Sequence, residues 1–216
     1  MFGKNPKRAP EMTDGLSLAV VEIFPTLQGE GPFVGQPAVF VRLGGCNLAC
    51  DFCDTEFENF SAMPLSAILE TIHAYATEGR DLVVITGGEP LRQNIAPLCE
   101  ALIAAGLRVQ IETNGTLWRD LPEAVHVVCS PKVTQGKYHP LRPDLLARVN
   151  ALKFIVSADI ADYHVVGEVG QARTTIPVYV QPMDEYDPAR NAANAAHALH
   201  LAQSNGYRLS TQMHKL

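Results

Sequence analysis

Short runs rich in Val and Ile alternate along the chain with segments whose apolar residues recur at helical spacing. The runs predict strands over 18–24, 38–43, 82–86, 107–113, 125–130, 152–157 and 178–181. Between them, Leu65, Ile68, Leu69, Ile72 and Ala76 form one helical stripe, and Ile95, Leu98, Cys99, Leu102 and Ile103 form another that stops at Gly106. A last helix is expected over 188–205, opening after Asp187 with proline at its first position and ending before Gly206. Alternation of this kind predicts βαβ units and a parallel sheet. About six units follow Ala38, too few for a closed eight-fold barrel, and no Gly-x-Gly-x-x-Gly turn marks a dinucleotide fold. The expected class is α/β, a partial, incomplete parallel βα barrel. Nothing marks an internal boundary, so residues 16–216 are expected as one domain, and the polar residues 1–15 as a flexible N-terminal extension.

The strand ends carry unusual chemistry. Strand 82–86 runs into Gly87-Gly88-Glu89-Pro90, 107–113 into Asn114-Gly115-Thr116, 125–130 into Pro131-Lys132, and 178–181 into Pro182-Met183-Asp184. Parallel α/β folds place their active sites at C-terminal strand ends, and four such turns in series favour a site over ordinary βα turns. Polar residues also interrupt the strands: Arg42 in one, Arg108, Gln110 and Glu112 along one face of another, and Lys153 between Leu152 and Phe154. Charges of this kind are rarely buried without a partner or ligand. They predict a polar interior chamber, with a solvated edge as the alternative, stronger for Arg108 than for Arg42.

Composition narrows the class. Of 216 residues, Lys+Arg number 17 and Asp+Glu 23, for a formal net charge of −6. With no basic run beyond Lys4-Asn5-Pro6-Lys7-Arg8, a nucleic-acid surface is not expected. No apolar stretch approaches the roughly 18 residues of a membrane span, and the N-terminus lacks a signal peptide's apolar core, so a cytoplasmic location is expected. Five cysteines is an odd count, and Cys46, Cys50 and Cys53 fall within eight residues. Clustered thiols in such a chain point to metal binding or redox chemistry rather than a disulfide scaffold.

Three soft thiolates this close suit zinc or an iron–sulfur cluster. A structural zinc site needs a fourth ligand, and the nearest histidine, His73, falls on a predicted helix. Cys99, on an apolar helix face, and Cys129, within a strand, are expected in the core. A four-iron cluster on three thiolates leaves one iron open to a small molecule bearing its own amine and carboxylate.

The C-x3-C-x2-C loop after a strand, together with Thr86-Gly87-Gly88-Glu89-Pro90, resembles the radical S-adenosylmethionine superfamily. Within it, Thr26-Leu27-Gln28-Gly29-Glu30-Gly31, Arg42, Cys53-Asp54-Thr55, Glu112-Thr113-Asn114-Gly115-Thr116, Ser130-Pro131-Lys132 and Gln181-Pro182-Met183-Asp184 are most similar to the 7-carboxy-7-deazaguanine synthase family of queuosine biosynthesis, a tRNA-modification pathway. The resemblance runs from Ile23 nearly to the end.

That resemblance implies a carbon–nitrogen lyase converting 6-carboxy-5,6,7,8-tetrahydropterin to 7-carboxy-7-deazaguanine with loss of ammonia. It implies a [4Fe–4S] cluster on Cys46, Cys50 and Cys53, with S-adenosylmethionine on the open iron as the source of a radical that abstracts hydrogen from the pterin. No side chain is expected to be catalytic beyond cluster and cofactor, which carry the hard chemistry. Gly88, Ser130, Pro131, Lys132, Gln181, Pro182, Met183 and Asp184 are the implied cofactor contacts, with Glu112 or Asn114 at the ribose. Leu27, Gln28, Gly29, Arg42 and Thr86 are the implied substrate contacts, and Thr55 the implied Mg²⁺ ligand, with Asp54 beside it. The resemblance also implies a homodimer and an electron donor such as flavodoxin. The tail from Leu209 resembles the family's substrate-side C-terminal segment. His197 and His200 are expected as a surface pair. A glycyl-radical-enzyme activase shares the cysteine spacing but leaves Arg42, Gln28 and Thr55 unexplained; a non-catalytic iron–sulfur or zinc module explains the thiols alone.

Overall fold

The structure, a computed structural model, describes residues 5–213 and divides into two compact units. Residues 1–4 of the expected extension and 214–216 of the tail lie outside the described residues. The first unit holds the chain to Gln28, Gly35–Thr113 and Leu117–Val127; the second holds Gly29–Val34, Asn114–Thr116 and the chain from Val128 onward.

In the first unit, β1 (Ser17–Leu27), β2 (Pro37–Leu43), β3 (Ser61–Pro64), β4 (Leu82–Gly87) and β5 (Arg108–Thr113) are ordered β3-β1-β2-β4-β5. Strands β2, β4 and β5 are parallel, with Ala38 opposite Leu82 and Leu82 opposite Arg108. Leu82, Val83, Val84 and Ile85 are all fully buried, the continuous apolar run of a strand covered on both faces. The helices α1 (Leu65–Tyr75) and α2 (Ala96–Ala104) bury Ile68 and Ile72, and Leu98, Cys99 and Leu102, respectively. Strand β1 is antiparallel to both β2 and β3. The segment from Gln28 to Gln36 between β1 and β2 is too short for a parallel crossover, which takes about a dozen residues. Strand β3, largely exposed, carries no apolar run to announce it.

The division falls within β6 (His126–Cys129). In the second unit follow α3 (Pro143–Leu146), β7 (Val149–Val156), β8 (Val178–Pro182), α4 (Pro188–Asn205) and β9 (Arg208–Leu209), with β7, β8 and β9 parallel in that order. The connection from β7 to β8 contains only the short 3-10 turns Ala161–Tyr163 and Gln171–Arg173, so a regular helix is not what makes that crossover. Helix α4 sets the buried residues Asn194, Ala198 and Ala202 at i, i+4, i+8; the alanines allow close approach to β8. The Asn194 amide accepts from Ala158 N (2.7 Å) and donates to Met183 O and Glu185 Oε1 (both 2.9 Å), pinning the segment after β8.

The start of α4 is set by Asp187, whose carboxylate accepts from Ala189 N (2.9 Å) and Arg190 N (3.0 Å), and its end by Gly206 at φ 70°. Asp187→Ala removes both bonds and is expected to cost about 1 kcal/mol, or about 2–4 °C in Tm for a chain this size. Thermal unfolding followed by circular dichroism checks this, with Asp187→Asn retaining most of the stability.

Candidate active site

The cysteine loop leaves the C-terminal end of β2 through Gly44-Gly45, and the turn after β4 lies directly against its root. Gly88 N donates to Leu43 O (3.2 Å) and Glu89 N to Gly45 O (3.0 Å). A Cβ on Gly88 would sit 2.2 Å from Gly45 O and 2.9 Å from Cys46 Cβ, and one on Gly87, at φ 142°, would sit 2.1 Å from Leu43 O. Only paired glycines let these two backbones touch. The buried Glu89 carboxylate fixes the turn from below, accepting from Leu91 N (3.0 Å) and Thr113 Oγ1 (2.7 Å).

Cys46 is buried, whereas Cys50 and Cys53 are half-buried. Leu48 N donates to Cys46 Sγ (3.4 Å), Cys53 N to Cys50 O (3.1 Å) and Cys53 Sγ to Thr55 O (3.5 Å). Burial pushes the Cys46 thiol up to about 11; Glu89, Cys50 and Cys53 push the same way and the Leu48 amide opposes them. Among the described residues no three His, Cys, Asp or Glu side chains are gathered into a metal-binding group, so the loop supplies the donors without drawing them together. The donor set fits an iron–sulfur cluster: three soft thiols hang from one loop. A bound cation removes the penalty on their ionised forms. Thr55 Oγ1 donates to Asp54 Oδ1 (3.2 Å), which places the two expected hard-oxygen groups side by side.

The rest of the first unit's candidate residues lie on β1, β2, β4 and β5. Arg42 stands opposite Glu22 on β1 and Thr86 on β4. Its Nε donates to Glu22 Oε1 (2.7 Å) and its guanidinium lies 6.0 Å from the Phe24 ring centroid. Nη1 and Nη2 make no hydrogen bond among the described residues. Gln28, buried where β1 ends, donates through Nε2 to Glu112 Oε1 (3.2 Å), which also accepts from Gln110 Nε2 (2.7 Å). These polar residues are thus interior, whereas Arg108 is the exposed member of its strand, paired with Asp81 at 2.7 Å. Leu27 is exposed at the end of β1.

The second unit holds the remaining candidates. Ser210 Oγ donates to Gln181 Oε1 (3.0 Å) and accepts from Gly31 N (3.0 Å), and Met213 N donates to Gly29 O (3.2 Å). Lys153, 5% exposed inside β7, is ion-paired with Glu30, whose other oxygen accepts from Gln212 Nε2 (2.9 Å). The tail, Gln181 and the 29–31 turn therefore form one polar cluster. Lys132 Nζ donates to Ser130 O (2.7 Å) and Oγ (2.6 Å), with Pro131 buried between them. Met183 N donates to Val156 O (2.8 Å), and Asp184 Oδ1 accepts from Asn191 Nδ2 (2.7 Å). Asn114 Oδ1 accepts from Thr116 N (2.9 Å), a local turn bond.

Two expectations outside the site also resolve. Cys99 and Cys129 are core residues, with burial raising the Cys99 thiol to about 12. His197 stacks on His164 at 4.2 Å rather than pairing with His200. Sequence reasoning missed Glu11 and Arg92, an ion pair at 2.7 Å between a half-exposed carboxylate and a buried guanidinium, and did not foresee that Glu30 is the partner of Lys153. For Lys153 the signal existed, a lysine within an apolar strand beside a Gly-Glu-Gly turn. For Arg92, in a polar turn, it did not.

Comparison with known proteins agrees with this geometry. The model of the radical SAM superfamily matches residues 40–130, which span the cysteine loop and the turn after β4. The 7-carboxy-7-deazaguanine synthase of Rickettsia prowazekii (strain Madrid E) is 51% identical over 220 residues, covering 100% of this chain and 94% of the relative. That of Rhodospirillum rubrum is 47% identical over 236 residues, covering 100% and 98%. The chain belongs to the 7-carboxy-7-deazaguanine synthase family. The crystal structure of QueE from Escherichia coli superposes with a TM-score of 0.71 at 27% identity, covering 91% of this chain and 94% of that one. The fold is therefore the radical SAM type of α/β partial barrel read from the sequence, and the family's cofactors are a [4Fe–4S] cluster and S-adenosylmethionine. Both bacterial synthases align over the whole chain, so the resemblance includes residues 1–15.

Gly88→Ala is expected to cost about 1–3 kcal/mol of stability by overpacking the loop root, and to lower iron content after anaerobic reconstitution. Gly79→Ala, where a Cβ meets nothing within 4 Å, is the control and should stay within about 0.5 kcal/mol of the parent. Iron per chain and thermal unfolding check both.

Proposed function

We propose that this chain converts 6-carboxy-5,6,7,8-tetrahydropterin to 7-carboxy-7-deazaguanine with loss of ammonia, as a radical S-adenosylmethionine carbon–nitrogen lyase. The observation that carries the reading is 51% identity to a synthase of that name over the whole chain. When bound, the cluster and S-adenosylmethionine supply the one-electron cleavage that begins the ring contraction. The chain's own residues bind, orient and shield.

Cys46, Cys50 and Cys53 hold the cluster in this reading. Gly88 contacts the methionyl amine in this reading, and its lack of a Cβ is what lets its backbone lie against Gly45 and Cys46. Ser130, Pro131, Lys132 and the stretch Gln181, Pro182, Met183 and Asp184 bind the adenosyl part. Arg42 offers its two terminal nitrogens to the pterin carboxylate, a planar fork that matches two oxygens at once. Gln28, with Leu27, Gly29 and Thr86, reads the pyrimidine edge. Thr55 would supply a hydroxyl ligand to Mg²⁺, a hard cation suited to oxygen donors. A flavodoxin-like donor reduces the cluster, and the protein acts as a cytoplasmic homodimer on a small molecule without nucleic acid. No helix among the described residues is long and apolar enough to cross a membrane.

Anaerobic incubation with dithionite, S-adenosylmethionine and the carboxypterin tests the assignment; deazaguanine product is expected, and its absence from a cluster-loaded protein refutes it. Arg42→Lys should raise KM for the pterin by about 10–100-fold, the loss of a charge-assisted contact, with iron content unchanged. Unchanged kinetics would remove Arg42 from the substrate site. Thr55→Ala should weaken the response of the rate to added Mg²⁺, and a parental magnesium curve would count against Thr55.

A further inference from the structure

The segment expected as a flexible extension is, from Asn5 to Asp14, bonded along its length to the first unit. Arg8 N donates to Cys46 O (2.7 Å), and Lys7 forms a parallel bridge with Cys46. The Arg8 guanidinium grips Glu58, with Nε 2.8 Å from Oε2, and lies 5.1 Å from the Phe60 ring centroid. Asn5 Nδ2 donates to Thr55 O (3.4 Å). The segment therefore touches the cysteine loop both at its first thiol and just past its last.

Its other end is locked by Arg92, which is 2% exposed. Arg92 Nη1 donates to Glu11 Oε1 (2.7 Å) and Ala9 O (3.2 Å), and Nη2 donates to Gly44 O (3.1 Å) at the loop's root. Glu11 N donates back to Arg92 O (2.7 Å), and Arg119 adds bonds to the Glu11, Leu91 and Arg92 carbonyls. A Cβ on Gly45 would meet Arg8 Cδ and Arg92 Nε, both at 2.8 Å, so the loop root is wedged between the two arginines. One buried guanidinium thus joins the N-terminal segment to the backbone two residues before Cys46.

We propose that residues 5–14 are a strap that holds the cysteine loop in the conformation that retains the cluster, with Glu11 and Arg92 as the positioning pair that fastens it. The physical reason is the loop's lack of regular structure: residues 46–55 contain no helix and only one bridge, the one made with the strap. A loop outside helix and sheet relies on outside contacts to keep three thiols at fixed spacing, and each unfastened contact raises the population of open loop. The strap's contacts fall on the loop and adjoining turns. Their loss is therefore expected to loosen the ligands before the β-sheet core.

The inference rests on the cluster-binding reading of the loop, and the test separates the two. Wild-type protein and Glu11→Ala are reconstituted with iron and sulfide, and iron release to a chelator is followed by absorbance alongside the magnetic resonance signal of the reduced cluster. Trypsin cleavage after Lys7, a site kept in every variant, reports release of the strap in the apoprotein. Glu11→Ala is expected to be cut faster and to lose iron about five- to tenfold faster, as loss of one charge-assisted contact implies. Arg8→Ala, which leaves the Glu11–Arg92 pair intact, should do the same to a smaller extent, and Arg8→Lys should partly restore the parent rate.

Faster cleavage with unchanged iron release overturns the proposal, because the strap is then free without consequence for the cluster. Unchanged cleavage overturns the role of Glu11 as its fastening. If Glu11→Ala fails to fold, Arg8→Ala decides by the same two readouts. A wild-type protein that takes up no iron defeats the cluster reading itself, and the proposal with it.

Discussion

Two backbones lying in van der Waals contact, Leu43–Cys46 and Gly87–Glu89, are the constraint on which the candidate site depends. Side chains normally keep neighbouring loops about a residue's width apart, but here the amides of Gly88 and Glu89 donate straight to the carbonyls of Leu43 and Gly45. The strand order makes this possible, since β2 and β4 are parallel neighbours in register and end together at Leu43 and Gly87. Cys46 is thereby placed by main-chain bonds rather than by side-chain packing, and it is the buried thiol of the three. Its neighbours Cys50 and Cys53 sit farther along a loop that must accommodate the geometry of whatever they bind.

Buried charge is concentrated in the same places. Arg92, Glu89 and Lys153 are all nearly inaccessible, and each has named partners: Glu11 and the Gly44 carbonyl for the terminal nitrogens of Arg92, whose Nε makes no hydrogen bond among the described residues, Leu91 N and Thr113 for Glu89, and Glu30 for Lys153. Replacing such pairs by apolar residues often leaves a protein as stable or more so, so stability alone does not account for them. They fix turns at strand ends: Glu89 the turn after β4, Arg92 the root of the cysteine loop, and Lys153, through Glu30, the 29–31 turn. An apolar contact would tolerate sliding by an ångström or more, whereas a hydrogen-bonded charge does not.

Much of this was legible beforehand. All seven strands read from the hydrophobic runs exist, and the plainest of them are parallel strands buried on both faces, whose apolar signature little else imitates, as in Leu82–Ile85. The cysteine spacing and the Gly-Gly-Glu-Pro turn carried the site for a similar reason: donors and close backbone approach demand particular residues at particular distances. What escaped was decided by tertiary contact. Strand β3 is exposed and has no apolar run, and β9 is only two residues long. The polar composition of residues 5–14 resembles a solvated tail, and nothing local records that Glu11 meets Arg92, 81 positions away. The antiparallel pairing of β1 was encoded only in the length of the segment that follows it.

The ion pair of Arg42 leaves room for the carboxylate-binding role proposed for it. Its partner Glu22 is 49% exposed, and a pair of this kind contributes only about 0–1 kcal/mol because water competes for both charges. It holds Arg42 through Nε alone, and Phe24 under the guanidinium restrains the side chain without consuming a donor. The arginine is therefore oriented at small cost while its outer edge keeps two donors. A carboxylate meeting that edge gains two parallel charge-assisted bonds without having to displace Glu22. A lysine at this position has a single ammonium to divide between Glu22 and a ligand, which is why the proposed role needs a guanidinium and not positive charge as such.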